Sequence, residues 1–84
     1  MVIKVLGSGC MNCKTLERRA QEALAALGIP AAVEKVEDMR LIATYGILRT
    51  PGLVIDERVV ASGRVPDVEE IKRLIKAQSA GSNA

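Results

Sequence analysis

Short apolar runs alternate along this chain with segments in which apolar residues recur every three or four positions. The short runs predict β-strands, and the periodic segments predict amphipathic helices. The strands are expected at Met1–Leu6, Ala31–Val36, Leu53–Ile55 and Val59–Ser62, and the helices at about Met11–Leu27, Met39–Tyr45 and Val68–Ala77. The resulting order, β-α-β-α-β-β-α, predicts an α/β fold in which a four-stranded mixed sheet carries helices on both faces.

The first strand and the first helix form the best-defined part of this pattern. The strand is apolar except for Lys4, as in a central strand that is covered on both faces. The apolar stripe of the helix, traced backwards, reaches Cys13, while Cys10 falls near the N-cap. Gly28 and Pro30 are residue types that end helices. With the second strand, these elements predict a parallel, right-handed βαβ unit.

The C-terminal half predicts a hairpin followed by a helix. The segment Asp56–Arg58 is short enough for a hairpin connection, but it lacks the glycine of a favoured two-residue turn, so we expect a bulge or a longer loop. Asp67 and Glu70 form a start for the last helix that is similar to a capping box. We assign residues 1–77 to one domain and expect residues 78–84, which are small and polar, to form a flexible tail.

Composition narrows the class of protein. The chain of 84 residues has the size of one domain, and 49% of its residues are hydrophobic although Tyr45 is its only aromatic residue. The net charge of +2 comes without a basic run, and aromatic residues for base stacking are lacking, so we expect no nucleic-acid partner. No apolar run approaches the ~18 residues that span a bilayer, and the N-terminus has no signal-peptide pattern, so we expect a cytoplasmic protein without a membrane partner.

Both cysteines, Cys10 and Cys13, lie at the start of the first helix, after the turn Gly7-Ser8-Gly9. In the cytoplasm such a pair is typical of catalysis or metal binding. The free N–H groups and the dipole of a helix N-terminus stabilise an anion, and the thiolate is the species that attacks disulfides. We therefore expect Cys10 to be an exposed nucleophile and Cys13 to lie partly covered on the core side. The neighbours expected to tune Cys10 are Met11, Asn12 and Lys14.

Features further along the chain complete a resemblance to a known family. Tyr45-Gly46-Ile47 is followed after three residues by Pro51, and Gly63 follows the predicted hairpin. Together with the Cys-x-x-Cys motif after the first strand, this arrangement resembles the thioredoxin superfamily in its small, glutaredoxin-like form, sometimes labelled redox-active disulfide proteins. The resemblance covers nearly the whole chain. In one departure, Lys4 stands where thioredoxins place a buried acid, so we expect proton handling to differ.

The resemblance implies a function and a set of site residues. It implies a thiol–disulfide oxidoreductase in which Cys10 attacks a protein disulfide and Cys13 resolves the mixed disulfide, leaving a Cys10–Cys13 bond. It also implies a cis Thr50–Pro51 peptide bond, with Thr50, Pro51 and Gly63 at the substrate-binding face. No cofactor beyond the dithiol is implied. The expected partners are disulfide-containing target proteins, with a reductase or glutathione as electron donor.

Two other functions are compatible with the same thiols. A Gly-x-Cys-x-x-Cys loop also occurs in heavy-metal-binding domains, where two soft thiolates hold Cu(I), so a small soft-metal-binding or metal-delivery module is the main alternative. Such domains end in a strand, whereas this chain is predicted to end in a helix. Structural zinc needs four ligands, and the chain has no histidine and no third cysteine, so we assign no metal ligands. A regulatory domain whose dithiol acts as a sensor is the third possibility.

Overall fold

The computed structural model describes residues 1–81, which form strands and helices in the predicted order. The strands are β1 (Ile3–Leu6), β2 (Val33–Val36), β3 (Gly52–Ile55) and β4 (Arg58–Ser62), and the helices are α1 (Met11–Leu27), α2 (Met39–Thr44) and α3 (Val68–Gly81). The strands form one sheet in the order β2-β1-β3-β4. β1 is parallel to β2 and antiparallel to β3, and β3 is antiparallel to β4. The predicted α/β class and mixed sheet are confirmed.

The central strand β1 separates two apolar clusters. Ile3 and Val5 pack with α1 and α3 on one face of the sheet, whereas Leu6 packs with Ile42 of α2 on the other. Burying one such aliphatic side chain contributes about 1.5–3 kcal/mol. The buried residues of the larger cluster are Ile3, Val5, Cys13, Leu16, Ala20, Ala23, Leu24, Leu53, Ile55, Ala61, Ile71 and Ile75. Helices therefore cover both faces, and the face with the larger cluster carries the helix that begins at the dithiol.

The connection between α1 and β2 is longer than predicted. Gly28 ends α1 in the left-handed conformation, with φ +68, as is expected of a glycine at the C-terminal end of a helix. The Ala31 N–H then donates to the Ile29 carbonyl at 2.9 Å, which forms a tight turn around Pro30. This turn keeps Ala31 out of the sheet, so β2 begins at Val33 and not at the predicted Ala31.

The two later helices begin at capping aspartates. The Asp38 carboxylate accepts a hydrogen bond from the Arg40 N–H at 2.8 Å, and the Asp67 carboxylate accepts one from the Glu70 N–H, also at 2.8 Å. Each bond satisfies one of the backbone donors that a helix leaves free at its first turn. The sequence pattern therefore located both starts correctly.

The β3–β4 hairpin differs from its prediction. Its connection is a two-residue turn in which Asp56 (φ +48) and Glu57 (φ +67) both adopt the left-handed conformation, although neither is glycine. The cost of roughly 1–2 kcal/mol per residue is offset by contacts with the rest of the fold. The Asp56 carboxylate accepts the Val2 N–H at 2.8 Å, and Glu57 pairs with Lys4 at 2.6 Å. The predicted bulge does occur, but within the ladder, at the register shift between Leu53 and Val54.

The last helix, α3, is longer than predicted. It continues to Gly81, past the predicted end at Ala77, so residues 78–81 of the predicted tail are helical. Residues 82–84, the rest of that tail, lie outside the described residues. Within residues 1–81, no helix is both long enough and apolar enough to cross a membrane.

Candidate active site

Cys10 occupies the N-cap of α1. Gly9, with φ +85, turns the chain out of the loop after β1, and Cys10 is extended (φ −70, ψ 170) before the helix begins at Met11. The first turn of α1 has no acidic residue, so no side-chain anion competes for the positive end of the helix. The Cys10 side chain is exposed. Its sulfur therefore faces both solvent and the helix N-terminus, which is the placement predicted from the sequence.

Cys13 lies one turn further along α1, on its core side. Its side chain is only 5% exposed and belongs to the larger apolar cluster together with Leu16. The Cys13 Sγ lies 3.1 Å from the Cys10 Sγ, and the two unbonded thiols share a hydrogen bond. The pair is therefore unequal, with one sulfur open to an incoming molecule and the other covered by the fold.

The pKa values of the two thiols shift in opposite directions. The hydrogen bond from the Cys13 thiol, followed by the backbone N–H groups of Cys13 and Asn12, holds the pKa of Cys10 below its ordinary value. Burial raises the pKa of the Cys13 thiol, and the neighbouring Cys10 raises it further. Cys10 therefore forms the thiolate more readily, whereas Cys13 keeps its proton at a pH where Cys10 has lost its own.

Gly7 is part of the site, although the sequence predicted only a turn at this position. Its N–H donates to the Val36 carbonyl at 2.9 Å, which ties the end of β1 to β2. A Cβ on Gly7 would lie 2.1 Å from the Cys13 Sγ, so the sulfur occupies the space that any side chain here would need. The sequence does contain an indication of this contact. A glycine directly after a buried strand often marks a place where another group approaches the backbone closely.

The predicted substrate-binding residues form one group next to this loop. The Thr50–Pro51 peptide bond is cis, the geometry that the resemblance implied. Thr50 lies beside Gly7, since its Cβ is 3.8 Å from the position of a Gly7 Cβ. The Gly63 N–H donates to the Pro51 carbonyl at 2.9 Å, and Gly63 itself (φ +72) packs against Arg49. The structure thus brings Thr50, Pro51 and Gly63 together on the dithiol side of the sheet.

The three expected tuning residues have different surroundings. Met11 is 78% exposed, and Asn12 is also exposed. Asn12 acts on Cys10 through its backbone N–H, which lowers the pKa of the thiol. Lys14 is exposed and lines a cavity that reaches Cys13. Of the three residues, Asn12 is thus the one whose backbone N–H contributes to the lowered pKa of Cys10.

This cavity, of about 220 Å³, lies between α1 and the end of β2. Its floor includes the buried Cys13, and its wall includes the loop from Gly7 to Gly9. The charged residues that line it are Lys14, Glu17, Lys35 and Glu37. Sequence reasoning missed both carboxylates, although Glu17 follows Cys13 by four positions and so shares its side of the helix. The cavity therefore borders the buried Cys13 and has charged side chains of both signs in its lining.

Lys4, the residue in the position of the family's buried acid, lies on the opposite face of the sheet from Cys13. Its Nζ donates to the Tyr45 hydroxyl at 3.1 Å and pairs with Glu57 at 2.6 Å. The bond to Glu57, then that to Tyr45, raises the pKa of Lys4 above its ordinary value, and the same ion pair lowers the pKa of Glu57. Tyr45 also packs against the smaller apolar cluster that contains Leu6 and Ile42, so it is a packing residue, as predicted.

Comparison with known proteins shows the family to which this chain belongs. A family described as thioredoxin domain matches residues 1–76. The chain belongs to this thioredoxin-domain family. It is 43% identical over 75 residues to a thioredoxin of Methanothermobacter thermautotrophicus, covering 89% of this chain and 97% of that protein. It is 37% identical over 81 residues to a thioredoxin of Methanocaldococcus jannaschii, covering 96% of this chain and 93% of that protein. The predicted superfamily is confirmed, and the chain is a thioredoxin-like redox protein.

Proposed function

We propose that this protein is a thiol–disulfide oxidoreductase that exchanges electrons with protein disulfides through Cys10 and Cys13. The observation that carries this proposal is the unequal pair of thiols. An exposed sulfur with a lowered pKa lies 3.1 Å from a buried sulfur with a raised pKa. The first attacks more readily because it forms the thiolate at a lower pH than the second, and the second is held beside it for an intramolecular step. The dithiol is the redox centre, and the reaction needs no further cofactor.

The reaction proceeds by two exchanges. The Cys10 thiolate attacks one sulfur of the target disulfide, forms a mixed disulfide and releases the other target sulfur as a thiolate. The Cys13 sulfur, once deprotonated, then attacks Cys10 and displaces the second target sulfur. Two electrons pass to the target, and the protein is left with a Cys10–Cys13 disulfide. A reductase or glutathione returns two electrons and restores the dithiol.

The target segment binds in the extended conformation beside Thr50. Pro51 has no N–H, and the backbone of Thr50 is next to the dithiol loop, which suits pairing with one incoming strand. Gly63 leaves the neighbouring surface without a side chain. The exposed Met11 and the fully exposed Leu48 (98%) offer apolar contacts to side chains of the target. These features support disulfide-containing proteins as substrates. We expect the protein to meet them in the cytoplasm.

The metal-binding alternative is not supported by the comparisons, because the matched family and both relatives are thioredoxins. Thiol–disulfide exchange is therefore the function that these observations favour.

The test is trapping of targets by single-cysteine variants. Cys13→Ser keeps the nucleophile but removes the resolving sulfur, so it should accumulate mixed disulfides with a model disulfide protein. Cys10→Ser is the matched control and should accumulate none, because its remaining thiol is buried. Non-reducing mass spectrometry counts the adducts, and insulin reduction by the wild-type protein measures turnover. Equal trapping by both variants would contradict the assigned roles, and absence of turnover in the wild type would contradict the function.

A further inference from the structure

The resolving step requires a proton acceptor for the Cys13 thiol. Its thiol is buried and its pKa is raised, so it carries a proton when the mixed disulfide forms. Only the thiolate attacks a disulfide, so this proton must leave before the Cys10–Cys13 bond closes. The chain has no histidine, the usual proton acceptor near neutral pH. Lys4 lies on the other face of the sheet, in an ion pair with Glu57. The acceptor has to come from elsewhere.

The cavity beside Cys13 provides the route. Its volume of about 220 Å³ is enough for several water molecules, each of which takes ~30 Å³ in the liquid. Cys13 lines it together with residues of α1, of the β2 region and of the loop from Gly7 to Gly9, whereas Cys10 does not. A water molecule within it can carry a proton from the thiol to a carboxylate in its wall.

Two carboxylates line the cavity, and their positions differ. Glu17 follows Cys13 by four positions on α1, a spacing that places Cβ atoms about 5–6 Å apart. Its side chain is 20% exposed, and Lys35 lies 3.8 Å from it. Glu37 is exposed, and its Oε2 lies against Gly9, 3.3 Å from the position of a Cβ there. Glu17 is thus the carboxylate on the side of Cys13, and Glu37 lies towards the loop of Cys10.

We propose that the Glu17 carboxylate accepts the proton of the Cys13 thiol in the resolving step, through one water molecule of the cavity; this role rests on the proposed function. As the proton moves to Glu17, the electron pair left on the Cys13 sulfur forms the bond to Cys10. The bond between Cys10 and the target sulfur breaks, and that sulfur leaves with its electron pair as a thiolate. Glu17 then returns the proton to solvent. The other charged side chains that line the cavity around Glu17 are Lys14, Lys35 and Glu37, and the Cys10 sulfur carries no charge once it is bonded in the mixed disulfide.

The experiment separates the two exchanges in one reaction. The reduced protein is mixed with excess aryl disulfide that releases a coloured thiolate. The first equivalent of colour reports the attack by Cys10, and the second reports resolution by Cys13. Stopped-flow absorbance gives both rates between about pH 6 and 9. The variants are Glu17→Gln, Glu17→Asp, which keeps a carboxylate, and Glu37→Gln as the matched control from the same cavity.

Glu17→Gln should slow the second phase by about tenfold or more at pH 7 and leave the first phase unchanged. The deficit should shrink towards pH 9, because solvent then deprotonates Cys13 directly. Glu17→Asp should recover part of the rate, and Glu37→Gln should behave as the wild type. A role of Glu17 through its charge alone predicts the opposite sign. Removing a negative charge near Cys13 would lower the pKa of its thiol and speed resolution.

The results also separate this inference from the proposed function. A second phase that Glu17→Gln leaves unchanged or accelerates would overturn the proton-acceptor role, as would an equal slowing by Glu37→Gln. In both cases the wild type would still show two phases, and the redox function would stand. Loss of both phases in the wild-type protein would instead contradict the redox function itself. Thermal unfolding of each variant checks that Gln at position 17 leaves the fold intact.

Discussion

Gly7→Ala tests how closely the sheet and the dithiol are packed. The added Cβ would lie 2.1 Å from the Cys13 Sγ, whereas non-bonded heavy atoms pack at about 3.5–4.0 Å. The sulfur must therefore move by more than 1 Å, roughly the difference between these distances. Overpacking of this kind costs about 1–3 kcal/mol of unfolding free energy. In a domain of this size, each kcal/mol lowers Tm by about 4–8 °C.

The displacement should affect one exchange more than the other. The Cys13 Sγ now lies 3.1 Å from the Cys10 Sγ, and a misplacement of about 1 Å in a reacting pair can cost 10²-fold in rate. Gly7→Ala should therefore slow closure of the Cys10–Cys13 bond by about tenfold or more. Attack by the exposed Cys10 should slow less, because it is affected only through the weakened hydrogen bond from Cys13 that holds its pKa down. The assay is the two-phase reaction with an aryl disulfide, together with urea unfolding of the reduced protein.

Gly28→Ala is the matched control for lost stability. Gly28 also has a conformation that disfavours alanine, with φ +68, but no atom lies within 4 Å of its Cβ position, and it ends α1 at the opposite end from the dithiol. It should lose about 1–2 kcal/mol and keep both exchange rates. Wild-type stability and a wild-type resolving rate in Gly7→Ala would refute the argument. Equal slowing by Gly28→Ala would assign the effect to general destabilisation.

Two further predictions concern protonation. Cys13→Ala removes the hydrogen bond that contributes most to the low pKa of Cys10. The midpoint pH for alkylation of Cys10 should therefore rise towards the ordinary thiol value of about 8.5. An unchanged midpoint would assign the pKa shift to the helix N-terminus alone. The Lys4–Glu57 pair lowers the pKa of Glu57 in the folded protein. The pair therefore stabilises the fold above the ordinary glutamate pKa of about 4.3, and this stabilisation is lost as the pH falls through the lower pKa that Glu57 has in the folded state. Urea unfolding at pH 7 and pH 3 should therefore show a smaller acid loss for Lys4→Met than for the wild type, and equal losses would contradict a stabilising pair.

Several parts of the candidate site follow from local spacing. Positions three and four apart share one side of a helix, so the stripe through Leu16 and Ala20 predicted that Cys13 is covered. The glycine-rich turn before α1 placed Cys10 at the N-cap, where its anion is stabilised. The aspartates before α2 and α3 identified both helix starts through their own hydrogen bonds. Each of these contacts joins residues that are close in sequence.

Other parts depend on partners that are distant along the chain. Nothing near Asp56 and Glu57 favours a two-residue turn, and the turn is held by Val2 and Lys4 at the other end of the chain. The space next to Gly7 is filled by Cys13, after the chain has turned from strand into helix. The length of α3 past Ala77 was also missed, because the small polar residues that follow carry no apolar stripe.

The amino-acid sequence by itself determined the order of elements, the family and the inequality of the two thiols, because periodicity, caps and turns act over a few residues. Tertiary structure alone decided what surrounds those thiols. Glu17 and Glu37 share a cavity with Cys13 only because β2 packs beside β1, and Thr50 meets Gly7 only because β3 pairs with β1. Such contacts depend on the registers and packing of several elements at once, which no local pattern of residues encodes.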